Sequence, residues 1–427
     1  MKWTCVGFLG LVLVGWGAGS AAALNAPHSL RHARTSEPHL SETRRSASHR
    51  AAGSTAGSAA VGTRSRTSLE AHPTARGAAR ASARRAALHP RRHHFYERFT
   101  ASSFANGNIF ADDVTGGEDP LVRQAAIDAL GDMNGTAVVI DPSNGRILAM
   151  VNQKLALSPG AEPCSTIKIT VAMAALSEGL VTRDTPVQLD GFRMNMTQAL
   201  AKSNNLYFEA LGRELGFERV RHYANQFGLG ELAGYNIDGE QLGVYPDQEL
   251  PASEGGVGRM CSFGQGVSLT PLQLGAYVAA LANGGTLYYL QHPTSLEEAL
   301  AFTPKVKRTL DIAKYLPDIE DGMAGAVEYG TARSLRANFR ELPVFGKTGT
   351  CSDKGTRFGW FASYSESPQG GLVTVFFLEG GRPTFGPRAA ELTGVFYKNL
   401  WDRNYFAGKG QQDAASVPTQ TQQAIQQ

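Results

Sequence analysis

Residues 27–105 carry almost no large apolar side chain until Phe95 and Tyr96. A segment made of Ala, Arg, Ser, Gly, His and Thr cannot bury enough surface to offset the entropy lost on ordering it. We therefore expect a disordered tether there, and a folded body on its C-terminal side. The chain has 427 residues, 42% of them hydrophobic, so the remainder is long enough for one large domain or two ordinary ones. Charge changes at the same place. Residues 27–100 hold 14 Arg, no Lys and 4 Glu, a net of +10, while residues 101–427 carry 26 basic and 34 acidic residues, a net of −8.

Met1-Lys2, an apolar run through Trp16 and then Ala21-Ala22-Ala23 read as an export signal over residues 1–26. The run of about 14 residues is short of the roughly 20 needed to span a bilayer, though Gly17 to Leu24 would lengthen it into an anchor. Under either reading the body is exported. Cys5 lacks a small-residue lipobox and is not read as a lipid attachment site. The arginines of the tether suit a solvated spacer or contact with anionic wall polymers or a membrane surface. The Gln-, Ala- and Ser-rich run 408–427 reads as a disordered tail, which leaves 106–407 as the body.

Within the body, apolar spacing predicts a helix over 121–130 after Asp119-Pro120, and a hairpin of 136–140 and 146–150 around Asp141-Pro142-Ser143-Asn144-Gly145. Helices are predicted over 165–180, about 197–211 with a break at Ser203, 217–227, 271–282, 319–328 and 392–401. Strands are predicted over 345–350, 358–364 and 372–378. Helices inserted between an N-terminal hairpin and C-terminal antiparallel strands give an α+β class, an antiparallel sheet flanked by a helical subdomain.

Three short motifs occur in order: Ser165-Thr166-Ile167-Lys168, Ser203-Asn204-Asn205 and Lys347-Thr348-Gly349-Thr350. Ser165 and Lys168, three apart, share a helix face. A serine hydroxyl attacks only when a base takes its proton, and lysine serves as that base only when neutral. Burial or a second cation, here Lys347, produces a neutral lysine. On its own the pair is also what any amphipathic helix carries. Ser203-Asn204-Asn205 is equally a helix cap. Its functional reading has Ser203 bridging Lys168 and the leaving group, with Asn205 donating to a substrate amide. In the third motif, Gly349 lets a substrate backbone lie close to the strand. The Thr350 N–H, with that of Ser165, would form an oxyanion hole, each donor worth roughly 3 kcal/mol in the transition state. Lys347 and Thr350 would hold a terminal carboxylate, with Thr348 between them. A bare K-T-G-T also reads as an edge-strand turn.

Together these motifs resemble those of the transpeptidase domain of penicillin-binding proteins, in the penicillin-binding protein and serine β-lactamase superfamily. The resemblance covers roughly residues 107–405. It extends to Thr136–Met150 (TAVVIDPSNGRILAM), Glu162-Pro163-Cys164-Ser165, the Thr-Pro-x-Gln helix and Ala-Asn-Gly-Gly end within 264–285, and Gly330-Thr331-Ala332 before Phe345. No glycosyltransferase region or large pedestal domain fits before residue 107. The resemblance implies a β-lactamase/transpeptidase-like fold and acyl transfer from D-alanyl-D-alanine in peptidoglycan stem peptides, with Ser165 as nucleophile. β-Lactams would acylate the same serine. It implies no cofactor, no metal and no nucleic-acid partner.

Eight of the ten histidines lie in the tether. His222 and His292 read as surface residues, so a Ser-His-Asp mechanism lacks its base, and no His-rich cluster offers a zinc site. Cys164 and Cys351 adjoin the first and third motifs. If Ser165 and Thr350 share an oxyanion hole, the resemblance places these neighbours near disulfide range. Some class A β-lactamases with carbapenemase activity bridge the same positions, whereas the family's transpeptidases usually carry Gly where Cys164 stands. The reading is a Cys164–Cys351 bridge with Cys261 free, against two small buried thiols. Rival functions are a serine β-lactamase, for which Glu209 and Glu214 lack the family's loop context, a D,D-carboxypeptidase, and a sensor that is acylated once.

Overall fold

In the computed structural model, residues 101–368 and 370–407 are described, and the expected signal, most of the tether and the tail lie outside them. The body is organised around a five-stranded antiparallel sheet. Its strands are β1 (Gly135–Ile140), β2 (Ile147–Val151), β5 (Val344–Asp353), β6 (Thr356–Ser365) and β7 (Val373–Gly380), in the order β2-β1-β7-β6-β5. All six residues of β1 are buried, because both faces of the sheet are covered. That is why its sequence is a continuous apolar run rather than an alternation. Val138 and Ile140 enter one core, Ala137 and Val139 the other, as a period of two requires.

One face is covered by α1 (Pro120–Leu130) and α9 (Gly386–Asp402). Asp119 caps α1, accepting from the Leu121 and Val122 N–H groups. The other face carries α7 (Pro271–Ala282), followed outward by α2 (Lys168–Ser177), α3 (Met196–Lys202), α4 (Asn205–Leu215), α5 (Phe217–Gln226), α6 (Gly256–Phe263) and α8 (Leu316–Glu328). The Thr270-Pro271-x-Gln273 signature is a capping box. Thr270 Oγ1 accepts from the Gln273 N–H at 3.1 Å, and Gln273 Oε1 accepts from the Thr270 N–H at 3.0 Å. A small ribbon of β3 (Thr286–Tyr288) and β4 (Val306–Thr309) completes the labelled elements.

The structure departs from the sequence expectations in several places. Order begins before residue 106. Phe104 bridges to Met133, and the Ser103 hydroxyl donates to the Arg382 carbonyl at 2.8 Å. The helix α6 was not expected, because Gly256 and Gly258 lower its intrinsic propensity and only packing against α4 and the turn before α2 forms it. Helix α9 begins six residues before the expected 392, since Gly386-Pro387 reads as a turn but proline suits a first helical turn. His292 is not on the surface. Its side chain is 5% exposed, with Nε2 2.9 Å from Glu118 Oε1, and Glu118 also binds Arg123 at 2.9 Å. His222 is exposed, as expected.

Candidate active site

The site lies between the edge strand β5 and the helical subdomain. Pro163 leads into a 3-10 turn, Cys164–Ile167, that continues as α2 from Lys168. Helical spacing carries Lys168 back over the turn, and its Nζ lies 2.7 Å from Ser165 Oγ. Lys168 is fully buried, so every partner of its nitrogen matters. Nζ is 2.6 Å from Asn205 Oδ1, 3.1 Å from the Ser203 carbonyl and 3.2 Å from the Ser203 hydroxyl. The Asn205 oxygen and the Ser203 carbonyl only accept hydrogen bonds. A neutral amine has two N–H groups to satisfy them, and its lone pair is then left for the Ser165 O–H.

The middle motif divides its duties residue by residue. Asn204 caps α4, its Oδ1 accepting from the Tyr207 N–H at 2.9 Å. That frees Ser203 and Asn205, on either side of it, to face Lys168. Ser203 closes α3 in the left-handed conformation, φ 54°. A non-glycine residue held there stores roughly 1–3 kcal/mol of strain, a feature concentrated at functional sites. Asn205 turns its Oδ1 toward Lys168, which leaves its amide N–H2 for another partner. The motif thus caps α4 through Asn204 while Ser203 and Asn205 meet Lys168.

Lys347 comes from β5 and is also fully buried. Its Nζ donates to Ser203 Oγ at 2.7 Å and to the Thr348 carbonyl at 3.1 Å. The Ser203 hydroxyl therefore stands between the two lysines. Burial pulls the Lys347 ammonium down from 10.5 to about 7. Burial, and then the charge of Lys347, hold Lys168 well below its ordinary range, with Glu209 opposing. Glu209 is itself held by Arg213 at 2.8 Å.

Along β5 the side chains alternate. Lys347 and Cys351 face Ser203 and Cys164, whereas Thr348 and Thr350 point to the other face. Thr348 Oγ1 lies 2.6 Å from Thr331 Oγ1, and Thr350 Oγ1 accepts from the Gly386 N–H at 2.8 Å. Thr350 is exposed and retains its own O–H to donate. Gly349 makes its close approach to the nucleophile turn. A β-carbon there would sit 2.8 Å from the Pro163 carbonyl oxygen and 3.2 Å from Thr166 Cγ2. The missing side chain thus lets β5 dock against the segment carrying Ser165, rather than leaving room for a ligand backbone on that face.

Cys164 and Cys351 are joined by a disulfide, with Cα atoms 5.5 Å apart and Cys261 buried and free. Cys164 has φ 51°, a left-handed conformation that glycine adopts without strain. Here the bridge to β5 accompanies a side chain in that position. Sequence reading missed the partners that frame this turn. The Glu162 carbonyl accepts from Trp360 Nε1 at 3.0 Å, and Thr331 ties the end of α8 to β5. Gly330-Thr331-Ala332 was informative only by its spacing, and no short motif surrounds Trp360. Among the described residues, no group of three or more His, Cys, Asp or Glu is arranged to hold a metal ion.

Comparison with known proteins places the chain among similar sequences and folds. The chain is 30% identical over 257 residues to stage V sporulation protein D of Bacillus subtilis, covering 50% of this chain and 39% of that protein. It is 25% identical over 381 residues to the peptidoglycan D,D-transpeptidase MrdA of Acinetobacter baumannii, covering 70% of this chain and 56% of that one. The chain thus spans about two fifths to a little over half of these relatives' lengths. The D,D-transpeptidase domain of a peptidoglycan glycosyltransferase from Eggerthella lenta has the same fold, with a TM-score of 0.53 at 19% identity over 67% of this chain and 82% of that one. The penicillin binding protein transpeptidase domain matches residues 135–393, more than half of the chain, and this span contains all three motifs. With its serine, two buried lysines and edge strand in one cleft, the chain belongs to the penicillin-binding protein transpeptidase family.

Proposed function

We propose that the chain is a penicillin-binding D,D-transpeptidase that forms an acyl-enzyme on Ser165. The observation that carries this reading is the arrangement of Lys168, whose Nζ lies 2.7 Å from Ser165 Oγ and whose two acceptor-only partners, once the amine is neutral, leave its lone pair for the serine O–H. Ser165 attacks the carbonyl between two terminal D-alanines of a stem peptide, and its proton passes to Lys168. The tetrahedral oxyanion is held by the Ser165 and Thr350 N–H groups. Ser203, between both lysines, relays a proton to the departing D-alanine amine. The Thr350 hydroxyl holds the terminal carboxylate, with the charge of the buried Lys347 acting on it through the strand, and Asn205 donates its amide N–H to the peptide. An acceptor amine then attacks the ester and restores Ser165. β-Lactams acylate the same oxygen. Export of the body is part of this proposal, since the substrate is a wall polymer, and the arginine-rich tether would meet anionic wall polymers or a membrane. Among the described residues, no helix is long and apolar enough to cross a membrane.

The test is incubation with a fluorescent penicillin, followed by mass mapping of the labelled peptide. A stable adduct on Ser165, absent in Ser165→Ala, is expected. Rapid loss of penicillin without an adduct would indicate a β-lactamase instead, and neither adduct nor loss would remove the enzyme reading. Release of D-alanine from a stem peptide, with and without an added amine, separates the transpeptidase from a D,D-carboxypeptidase.

A further inference from the structure

The strand that carries Lys347 is an edge of the sheet. β5 pairs with β6 on one side only, so sheet hydrogen bonds do not set how far its other side stands from the helical subdomain. That separation matters for the chemistry. Ser203 comes from the end of α3 and Lys347 from β5, and Lys347 Nζ donates to Ser203 Oγ at 2.7 Å. In the proposed mechanism, on which this inference rests, Ser203 protonates the departing amine. Lys168, 3.2 Å from the same oxygen, passes on the proton it took from Ser165. Ser203 gives its own proton to the leaving nitrogen as the C–N bond breaks and the Ser165 ester forms. Ser203 must therefore hold its place against both lysines, and it does so in a left-handed conformation, φ 54°. Such a conformation persists only where its surroundings over-determine it.

The turn after α8 supplies that constraint. α8 packs against both α3 and β5, and the chain leaves it at Gly330-Thr331. The Thr331 N–H donates to the carbonyl of Ala201, shortly before Ser203 in α3, at 3.2 Å. The Thr331 hydroxyl lies 2.6 Å from that of Thr348, the neighbour of Lys347 on β5. One residue thus grips both segments that bring Ser203 and Lys347 together. The approach is close. A β-carbon on Gly330 would sit 2.1 Å from the Ala201 carbonyl oxygen, and one on Gly325 would sit 3.0 Å from Ala201 Cβ, so α8 and the end of α3 have no slack between them. Thr348 is buried and Thr331 partly so, which shelters the hydroxyl pair from competing water. The disulfide at Cys351 ties down β5 further along; Thr331 ties down the part that bears Lys347.

We propose that Thr331 is a positioning residue for the proton relay to the leaving group. It acts through Ala201 and Thr348 rather than on the substrate. By setting the separation of α3 from β5, it keeps the Ser203 hydroxyl against Lys347 and aimed at the departing nitrogen.

The test compares two substrates with the same acyl group and the same terminal carboxylate. One is a peptide ending in D-alanyl-D-alanine, whose leaving amine needs a proton. The other is the corresponding thioester, whose sulfur leaves as a thiolate. Both give the same acyl-enzyme on Ser165, so the ratio of their kcat/KM values isolates proton delivery and cancels losses of folded protein or of the nucleophile. Ser203→Ala, which removes the donor, should lower the amide-to-thioester ratio roughly a hundredfold or more. Thr331→Val keeps the branched shape and the N–H to Ala201 but loses the hydroxyl. It should lower the ratio roughly tenfold, since a sub-ångström misplacement of a catalytic group costs that much. Thr331→Ser, which keeps the hydroxyl, should restore most of it. A ratio within about twofold of the parent in Thr331→Val, with both substrates slowed alike or not at all, would reduce Thr331 to a packing residue and overturn the proposal. A Thr331→Ser variant no better than Thr331→Val would do the same, because the hydroxyl contact would then not be the cause. An unchanged ratio in Ser203→Ala would remove the relay itself, and the role of Thr331 with it. A parent protein acylated by neither substrate nor by fluorescent penicillin is a different result, which overturns the transpeptidase reading on which the relay depends.

Discussion

Replacing Lys347 by methionine should stabilise the protein while disabling it, and the gain should depend on pH in a stated direction. Lys347 is completely buried, and burial pulls its ammonium from 10.5 to about 7. Between those values the unfolded chain carries a proton that the folded chain lacks, so parental stability rises with pH across that window. The penalty is therefore greatest below pH 7 and fades toward 10.5. A displacement of about 3.5 pH units (10.5 − 7) is worth on the order of 5 kcal/mol at its full extent. Between pH 6 and pH 9 the linkage relation gives a change on the order of 3 kcal/mol. Methionine fills a similar volume but forfeits the bonds to Ser203 Oγ and the Thr348 carbonyl, an offset of roughly 1–3 kcal/mol that does not vary with pH. Lys347→Met should thus exceed the parent by about 2 kcal/mol at pH 6 and lose that margin by pH 9. Urea unfolding of both proteins at the two pH values measures it. A stability gap that stays within about 0.5 kcal/mol between them, an uncertainty typical of such extrapolations, would show that Lys347 keeps an ordinary ammonium and would sink the argument.

The same electrostatics predict that penicillin acylation is sustained at neutral pH and falls in acid as Lys168 takes up a proton; in Lys347→Met, whose missing cation helps depress Lys168, the acid limb of the residual rate should move to higher pH. Opening the 187-residue separation between Cys164 and Cys351 by serine at both positions should cost about 2–5 kcal/mol in thermal or urea unfolding. Because Cys164 has φ 51°, Cys164→Gly with Cys351→Ser should recover about 1 kcal/mol of that loss, and equal stability of the two double variants would contradict a strained turn. Gly349→Ala places a β-carbon against the Pro163 carbonyl. It should lower the acylation rate at least tenfold by shifting Ser165, and an unchanged rate would mean that the turn can yield without effect.

Much of the fold was legible because local chemistry and tertiary demand coincide. Pro271–Ala282 has a capping box at one end and Asn283-Gly284-Gly285 at the other, so both boundaries are written into neighbouring residues. The strands β1 and β7 are largely apolar runs buried on both faces, and β6 is buried from Gly359 onward. Gly256–Phe263 was not legible, since its glycines argue against a helix that exists for its packing. His292 was misread because a polar residue next to proline looks exposed until Glu118, 174 residues away, is brought to it.

The sequence by itself determined which groups are candidates for the chemistry, namely Ser165, Lys168, Ser203, Asn205 and Lys347, because reactivity resides in side-chain type and short spacing. It also set the expectation of a body from about residue 106, because composition sets what can be buried. Only the tertiary structure decided how those groups act. Ser203 meets Lys347 across 144 residues, Thr348 and Thr350 turn away from Lys168 by the pleat of β5, and Gly349 serves the nucleophile turn. These outcomes depend on strand register and on burial of two lysines in one cleft, and such contacts form only when distant segments pack together.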